Sequence, residues 1–204
     1  MKSVLFLVAA AAPLLAGDGA MNASERAFLL NQMESSQKEF LASIEGLTPA
    51  QWSFKPAPNV WSVQECAEHI ILAEQYIFGG TQQVLKTPAV DRPANSNAEY
   101  DKKFAAGVRD RSHKVSAPEP IVPSGTKFAT PADAAKEFSA RRAKTIDYVT
   151  STNDELRVHV GPGPAGPMDT YQFLILLAAH SSRHTAQILE VKSNPNFPKT
   201  ASGE

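Results

Sequence analysis

The sequence predicts an all-α protein, a four-helix bundle with a long crossover between its second and third helices. Three observations predict it. Four separate stretches carry apolar residues at three- and four-residue steps, the period of an amphipathic helix. Capping and breaking residues punctuate those stretches. No set of strand-like runs competes with them, residues 156–160 being a short piece that could be extended, and four apolar helix faces in one chain are buried most economically against one another. At 204 residues with 43% hydrophobic side chains, the chain can fill one core, so one domain over residues 21–195 is expected.

Residues 1–20 stand apart. Lys2 is the sole charge before Asp18, and an apolar run from Val4 to Leu15, broken only by Pro13, leads to small residues at Ala16 and Gly17. A dozen apolar residues is too short for a membrane span of about 20, and the pattern fits a secretory signal removed on export, which leaves no membrane span behind. The protein is then periplasmic or secreted. Translation from Met21 would instead leave it in the cytoplasm.

The first helix is expected over residues 24–45, with Phe28, Leu29, Met33, Phe40, Leu41 and Ile44 on its apolar face and Gly46 ending it. Residues 47–61 hold Pro49, Pro56 and Pro58 among Trp52, Phe54 and Trp61, a composition suited to laying aromatic rings over one end of a bundle. Ser62 and Glu65 form a capping-box pattern that opens the second helix, whose stripe runs Val63, Cys66, Ala67, Ile70, Ala73 and Ile77 until Gly79 and Gly80 weaken it. Residues 87–130 then carry prolines at 88, 93, 118, 120 and 123, with only 98–112 able to form a helix. A connection of that length is a crossover, expected also to shape a pocket mouth.

Thr130 and Pro131 open the third helix, with Ala135, Phe138, Ala143, Ile146 and Val149 facing the core. Residues 155–167 contain three prolines and three glycines and are expected to hold no regular element. Asp169 and Gln172 open the last helix, whose stripe is Phe173, Leu177, His180, His184, Ile188 and Val191. Asn194 and Pro195 end it, and residues 196–204 have the polarity of a frayed tail.

A net charge of −1 without any lysine-arginine run offers no surface for nucleic-acid phosphates. Cys66 is the single cysteine, which excludes an intrachain disulfide and a cysteine-rich zinc ribbon. The histidines are more informative. His180 and His184, one turn apart, project from one helix face, where they either share an ion or are two core imidazoles that each find a hydrogen bond. His69, one turn after Glu65, flanks the stripe of the second helix. If that helix adjoins the last one, three neutral imidazoles leave a fourth position open, the shell of a catalytic-type metal site.

Three motifs add to this: Trp61-Ser62-Val63-Gln64-Glu65 leading into His69, the upstream Leu47-Thr48-Pro49-Ala50-Gln51-Trp52, and His180-Ser181-Ser182-Arg183-His184-Thr185-Ala186-Gln187-Ile188. Together they resemble the DinB/YfiT-like superfamily of metal-binding four-helix bundles, over residues 24–192. The resemblance implies a divalent ion such as nickel or zinc on His69, His180 and His184, a small-molecule substrate, and a homodimer as a compatible assembly. Members of that superfamily include thiol-dependent transferases, and an exported protein meets little reduced thiol. A bound ion of this kind fits hydrolysis or transfer on a small molecule; a non-catalytic module with a structural ion is the alternative.

Several residues near the motifs have two readings. Glu65 is a candidate catalytic base or orienting partner of His69, although its cap role already explains it. Cys66 could complete a closed metal shell or be a small buried residue. Gln187 is placed to hydrogen-bond near the site or to sit at a polar edge. Glu68 and Glu74 read as solvated helix surface, His113 and His159 as surface histidines, and Trp52 and Trp61 as pocket lining or as packing over the bundle end.

Overall fold

Four long helices carry the fold in the computed structural model, which describes residues 19–164 and 166–199. They are α1 (Ala23–Ile44), α3 (Val63–Val84), α5 (Pro131–Ser151) and α6 (Thr170–Lys192). Two shorter helices join them, α2 (Pro49–Ser53) before α3 and α4 (Ala98–Arg109) within the crossover, which also holds a 3-10 turn at Glu119–Ile121. The expected leader lies outside the described residues except for its last two positions.

Caps explain where the long helices begin. Ser62 accepts the Glu65 N–H while the Glu65 carboxylate accepts the Ser62 N–H, and Asp169 with Gln172 repeats the arrangement at α6. Thr130 caps α5 and Pro131 fills its first position. The same reciprocal boxes stand at Asn22 with Glu25 for α1 and at Thr48 with Gln51 for α2, where Pro49 is tolerated because the first turn needs no N–H from it.

Around the bundle the order is α1, α6, α3, α5: α6 packs along both α3 and α1, α5 closes the other side against α1 and α3, and α4 covers α6. The apolar interior falls into two clusters. One holds Leu29, Met33, Val149, Tyr171, Leu174 and Ala178; the other holds Phe40, Trp52, Cys66, Ile70, Phe138 and Ile188.

A buried polar layer separates the clusters. Arg142 of α5 is wholly buried and gives two hydrogen bonds to Glu74 of α3, at 2.7 and 2.8 Å, and others to the Met33 carbonyl, Ser36 and Ser181. One guanidinium thus ties all four long helices. Glu74 is therefore not solvated surface as its sequence context suggests: it is buried and paired, which lets a carboxylate leave water. A second buried arginine, Arg157, meets Glu25, Asp101 and Asp169 and lies 3.7 Å over the Tyr171 ring, fastening α1, α4 and α6 at one end.

Residues 155–167 do contain a regular element, contrary to the expectation. Strands β1 (Val160–Gly163) and β2 (Gly166–Asp169) pair antiparallel, with Pro162 opposite Pro167. The two residues without an N–H share one rung, so neighbouring rungs supply the ladder's bonds. Gly161 is required beside them, since a Cβ there would stand 2.6 Å from the Val84 side chain.

Both ends of the described chain are docked. The Gly19 carbonyl accepts the Arg157 N–H at 2.9 Å and Met21 is buried. At the other end Phe197 packs edge-on to Phe54, and the Pro198 carbonyl accepts from Gln51, so the tail is held two residues beyond 196 rather than frayed there.

Candidate metal centre

The contact between α3 and α6 brings His69 against His180 and His184. One ring nitrogen from each lies within 4.8 Å of the others, and the His69 Nε2 is 3.2 Å from both the His180 Nε2 and the His184 Nε2. An ion about 2.0–2.1 Å from each imidazole in a tetrahedral shell sets those nitrogens about 3.3–3.4 Å apart. The two spacings from His69 are close to that value.

The opposite ring nitrogens decide what the inner ones can do. His69 Nδ1–H donates to the Ile121 carbonyl at 2.7 Å, and His184 Nδ1–H donates to the Gln187 Oε1 at 2.8 Å. A carbonyl accepts only, so both neutral rings carry their proton at Nδ1 and turn a bare lone pair inward at Nε2. Two lone pairs facing at 3.2 Å repel and cannot hydrogen-bond to each other. A cation bound by both removes that conflict, and this is the donor chemistry of a metal ligand whose outer nitrogen is fixed by a hydrogen bond.

Burial holds the rings neutral. It pushes His69 below its ordinary value against the opposing effect of the Ile121 bond. Burial, then the neighbouring charges of His184 and His69, push His180 far down, and burial followed by His69 lowers His184 to about 3. His69 is 2% exposed, whereas His180 and His184 are half-buried at the edge of α6's buried face, not in its centre. Ser181 and Thr185 occupy the buried positions beside them, bonded to α6 carbonyls one turn back. Trp61 lies against the cluster, its ring centre 4.8 Å from that of His69 and 6.0 Å from that of His184.

Other residues singled out from the sequence divide around this point. Gln187 does bond at the site, and Arg111, chelated by Glu190 at 2.6 and 2.7 Å, adds a longer contact to its Oε1. Glu65 is turned elsewhere: its carboxylate accepts the Ser62 N–H and pairs with Lys55 at 2.7 Å, and it is the Ile121 carbonyl that orients His69. Cys66 is buried among Phe40, Trp52 and Ile70, apart from the histidine group, with its thiol pushed up by burial. Trp52 donates to the Phe128 carbonyl at the bundle end. His113 is exposed, and His159 bonds the Thr87 carbonyl.

Sequence reasoning missed the residues that seat the crossover over this cluster. Glu68, expected on the surface, is wholly buried and accepts from the backbone of Ser124, Thr126 and Lys127 and from the Ser124 hydroxyl. Burial raises its pKa, but the loop N–H groups outweigh that and hold the carboxyl below its usual range. On α6, Arg183 donates to the carbonyls of Val108, Asp110 and His113, closing the C-terminal end of α4. Such partners are backbone groups, which no residue pattern marks.

Fold and site define an all-α bundle with a three-histidine cluster between its second and last long helices. Residues 32–188 match the DinB superfamily, and the chain belongs to it. YuaE, an uncharacterised protein of Bacillus subtilis strain 168, is 25% identical over 150 residues, which cover 73% of this chain and 88% of that protein. The solved structure of YfiT from Bacillus subtilis superposes with a TM-score of 0.58 at 15% identity, covering 88% of this chain and 92% of that one. YfiT is described as a probable metal-dependent hydrolase with an unusual four-helix bundle topology. At that identity the likeness establishes the fold.

Proposed function

We propose that this chain is a metal-dependent hydrolase of a small molecule, holding one divalent ion, nickel or zinc, on the Nε2 atoms of His69, His180 and His184. The observation that carries the reading is the pair of inward lone pairs on His69 and His184, 3.2 Å apart with both outer nitrogens committed to carbonyl oxygens. The description of YfiT as a probable metal-dependent hydrolase supports the same class. When bound, the ion supplies Lewis acidity that activates water near neutral pH.

The chain's own residues do the rest. Three neutral imidazoles bring no charge, so the ion's positive field is left to act on the substrate. Ile121 and Gln187 hold two of the rings in the binding tautomer, and Trp61 walls one side with an apolar surface. Cys66 stands outside the histidine group, which favours an open coordination position over a closed structural shell. An extracytoplasmic site, the reading of residues 1–20 as a leader, favours water over a thiol as the attacking group.

The test is elemental analysis of the purified protein followed by ester, amide and thiol-conjugate assays on wild type, chelator-stripped protein and His184→Ala. One divalent ion per chain and a hydrolysis lost on stripping and in the variant are expected. Hydrolysis that survives both treatments would sink the proposal. A bound ion with no turnover of any substrate would favour the non-catalytic module.

A further inference from the structure

We infer that Glu68 is a positioning residue for His69, acting through the crossover: its carboxylate clamps residues 124–127 and so fixes the Ile121 carbonyl that sets the His69 tautomer. The link to an ion rests on the metal reading above; the link to the tautomer does not.

Glu68 and His69 are neighbours on α3 and face different partners. The Glu68 Oε1 accepts the Ser124 N–H at 2.8 Å and the Ser124 hydroxyl at 2.9 Å, and its Oε2 accepts the N–H groups of Thr126 at 3.2 Å and Lys127 at 3.4 Å. Four donors from one loop converge on one buried carboxylate. Only two residues, Val122 and Pro123, separate the first of them from Ile121. Three virtual bonds, one with a proline-fixed φ, reach about 10 Å at most and leave the Ile121 carbonyl little freedom once Ser124 is held.

The loop's shape is specific to this seat. Gly125 has φ +72°, and a Cβ on it would come 3.2 Å from the Glu65 side chain, so the turn lies flat on the first part of α3. Beyond it the Phe128 carbonyl accepts from Trp52 at 3.1 Å and from Gln64 at 2.8 Å. On the other side the 3-10 turn ends at Ile121, whose buried side chain joins the apolar core while its carbonyl meets His69. The metal-facing lone pair of His69 therefore depends on a segment that α3 itself holds in place, one residue away.

Glu68→Gln tests this, because an amide presents its NH2 to part of a loop that offers only donors. In chelator-stripped protein, ring 15N shifts are expected to show His69 moving from the Nδ1–H form to a mixture, with faster amide exchange in residues 121–128. Zinc(II) alone, titrated by competition with a chelating dye, is expected to bind about 10–100-fold more weakly, the range for loss of an outer-sphere partner. Ser124→Ala removes one donor and is expected to shift both readouts the same way by less, which keeps the test alive should Glu68→Gln fail to fold. Faster exchange in the loop with wild-type His69 ring shifts would overturn the inference, leaving Glu68 a mere clasp. If wild type binds neither zinc(II) nor nickel(II), the metal reading falls while the ring shifts still decide the role of Glu68.

Discussion

Arg142 and Glu74 are joined by two parallel hydrogen bonds, and neither side chain reaches solvent. Removing one partner leaves the other charged and buried without compensation, which costs about 3–5 kcal/mol. Arg142→Met and Glu74→Gln are each expected to lower the unfolding free energy by about that much, while the double variant Arg142→Met/Glu74→Met loses far less than the sum. Urea unfolding of stripped protein measures it. Single variants within about 1 kcal/mol of wild type would mean that the polar layer does not hold the helices together.

Trp61 touches two of the three clustered rings, whereas Trp52 is buried at the bundle end. Nickel(II) is expected to quench tryptophan emission in wild type and in Trp52→Phe, and to leave Trp61→Phe nearly unchanged. Equal quenching in both variants would place the ion elsewhere.

Gln187 holds the Nδ1 proton of His184. Gln187→Leu removes the acceptor at similar volume, and zinc is expected to bind about 10–100-fold more weakly with stoichiometry retained. A competition titration reads this; unchanged affinity would show that α6 alone orients the ring.

Burial lowers the pKa of all three clustered histidines, His184 to about 3. Below their ordinary value of about 6.5, unfolded chains take up protons that the native rings refuse, so stability is full above that pH and falls as acid is added. Glu25 and Glu68, both held low in the fold, add to the loss only below about 4.5. Thermal melting of stripped protein from pH 8 to pH 5 should show a plateau and then a decline beginning near 6.5. A flat profile would mean that the native rings take up protons at the same pH as the unfolded chain.

The legible parts of this fold were those in which both partners lie within a few residues. Ser62 with Glu65 and Asp169 with Gln172 mark helix starts because a cap bond spans three positions. His180 and His184 share a face for the same reason, and His69 could be placed with them only on the condition that the two helices adjoin, which they do. The structure departs from sequence reading where a partner is remote or is backbone. Glu74 waits for Arg142, Glu68 for the amides of 124–127, and neither differs in local pattern from a solvated glutamate. In the proline-glycine segment, pairing depends on which rung each proline occupies, and composition does not record that.

The crossover is pinned on one side by Arg183 and on the other by Glu68, with residues 112–120 nearly all exposed in between. That span is consequently a bridge replaceable in part. Between those fixed abutments the exposed side chains of residues 114–116 can be rewritten without touching the four helices, whereas the 3-10 turn at Glu119–Ile121 has to keep its place because it carries the carbonyl that bonds His69.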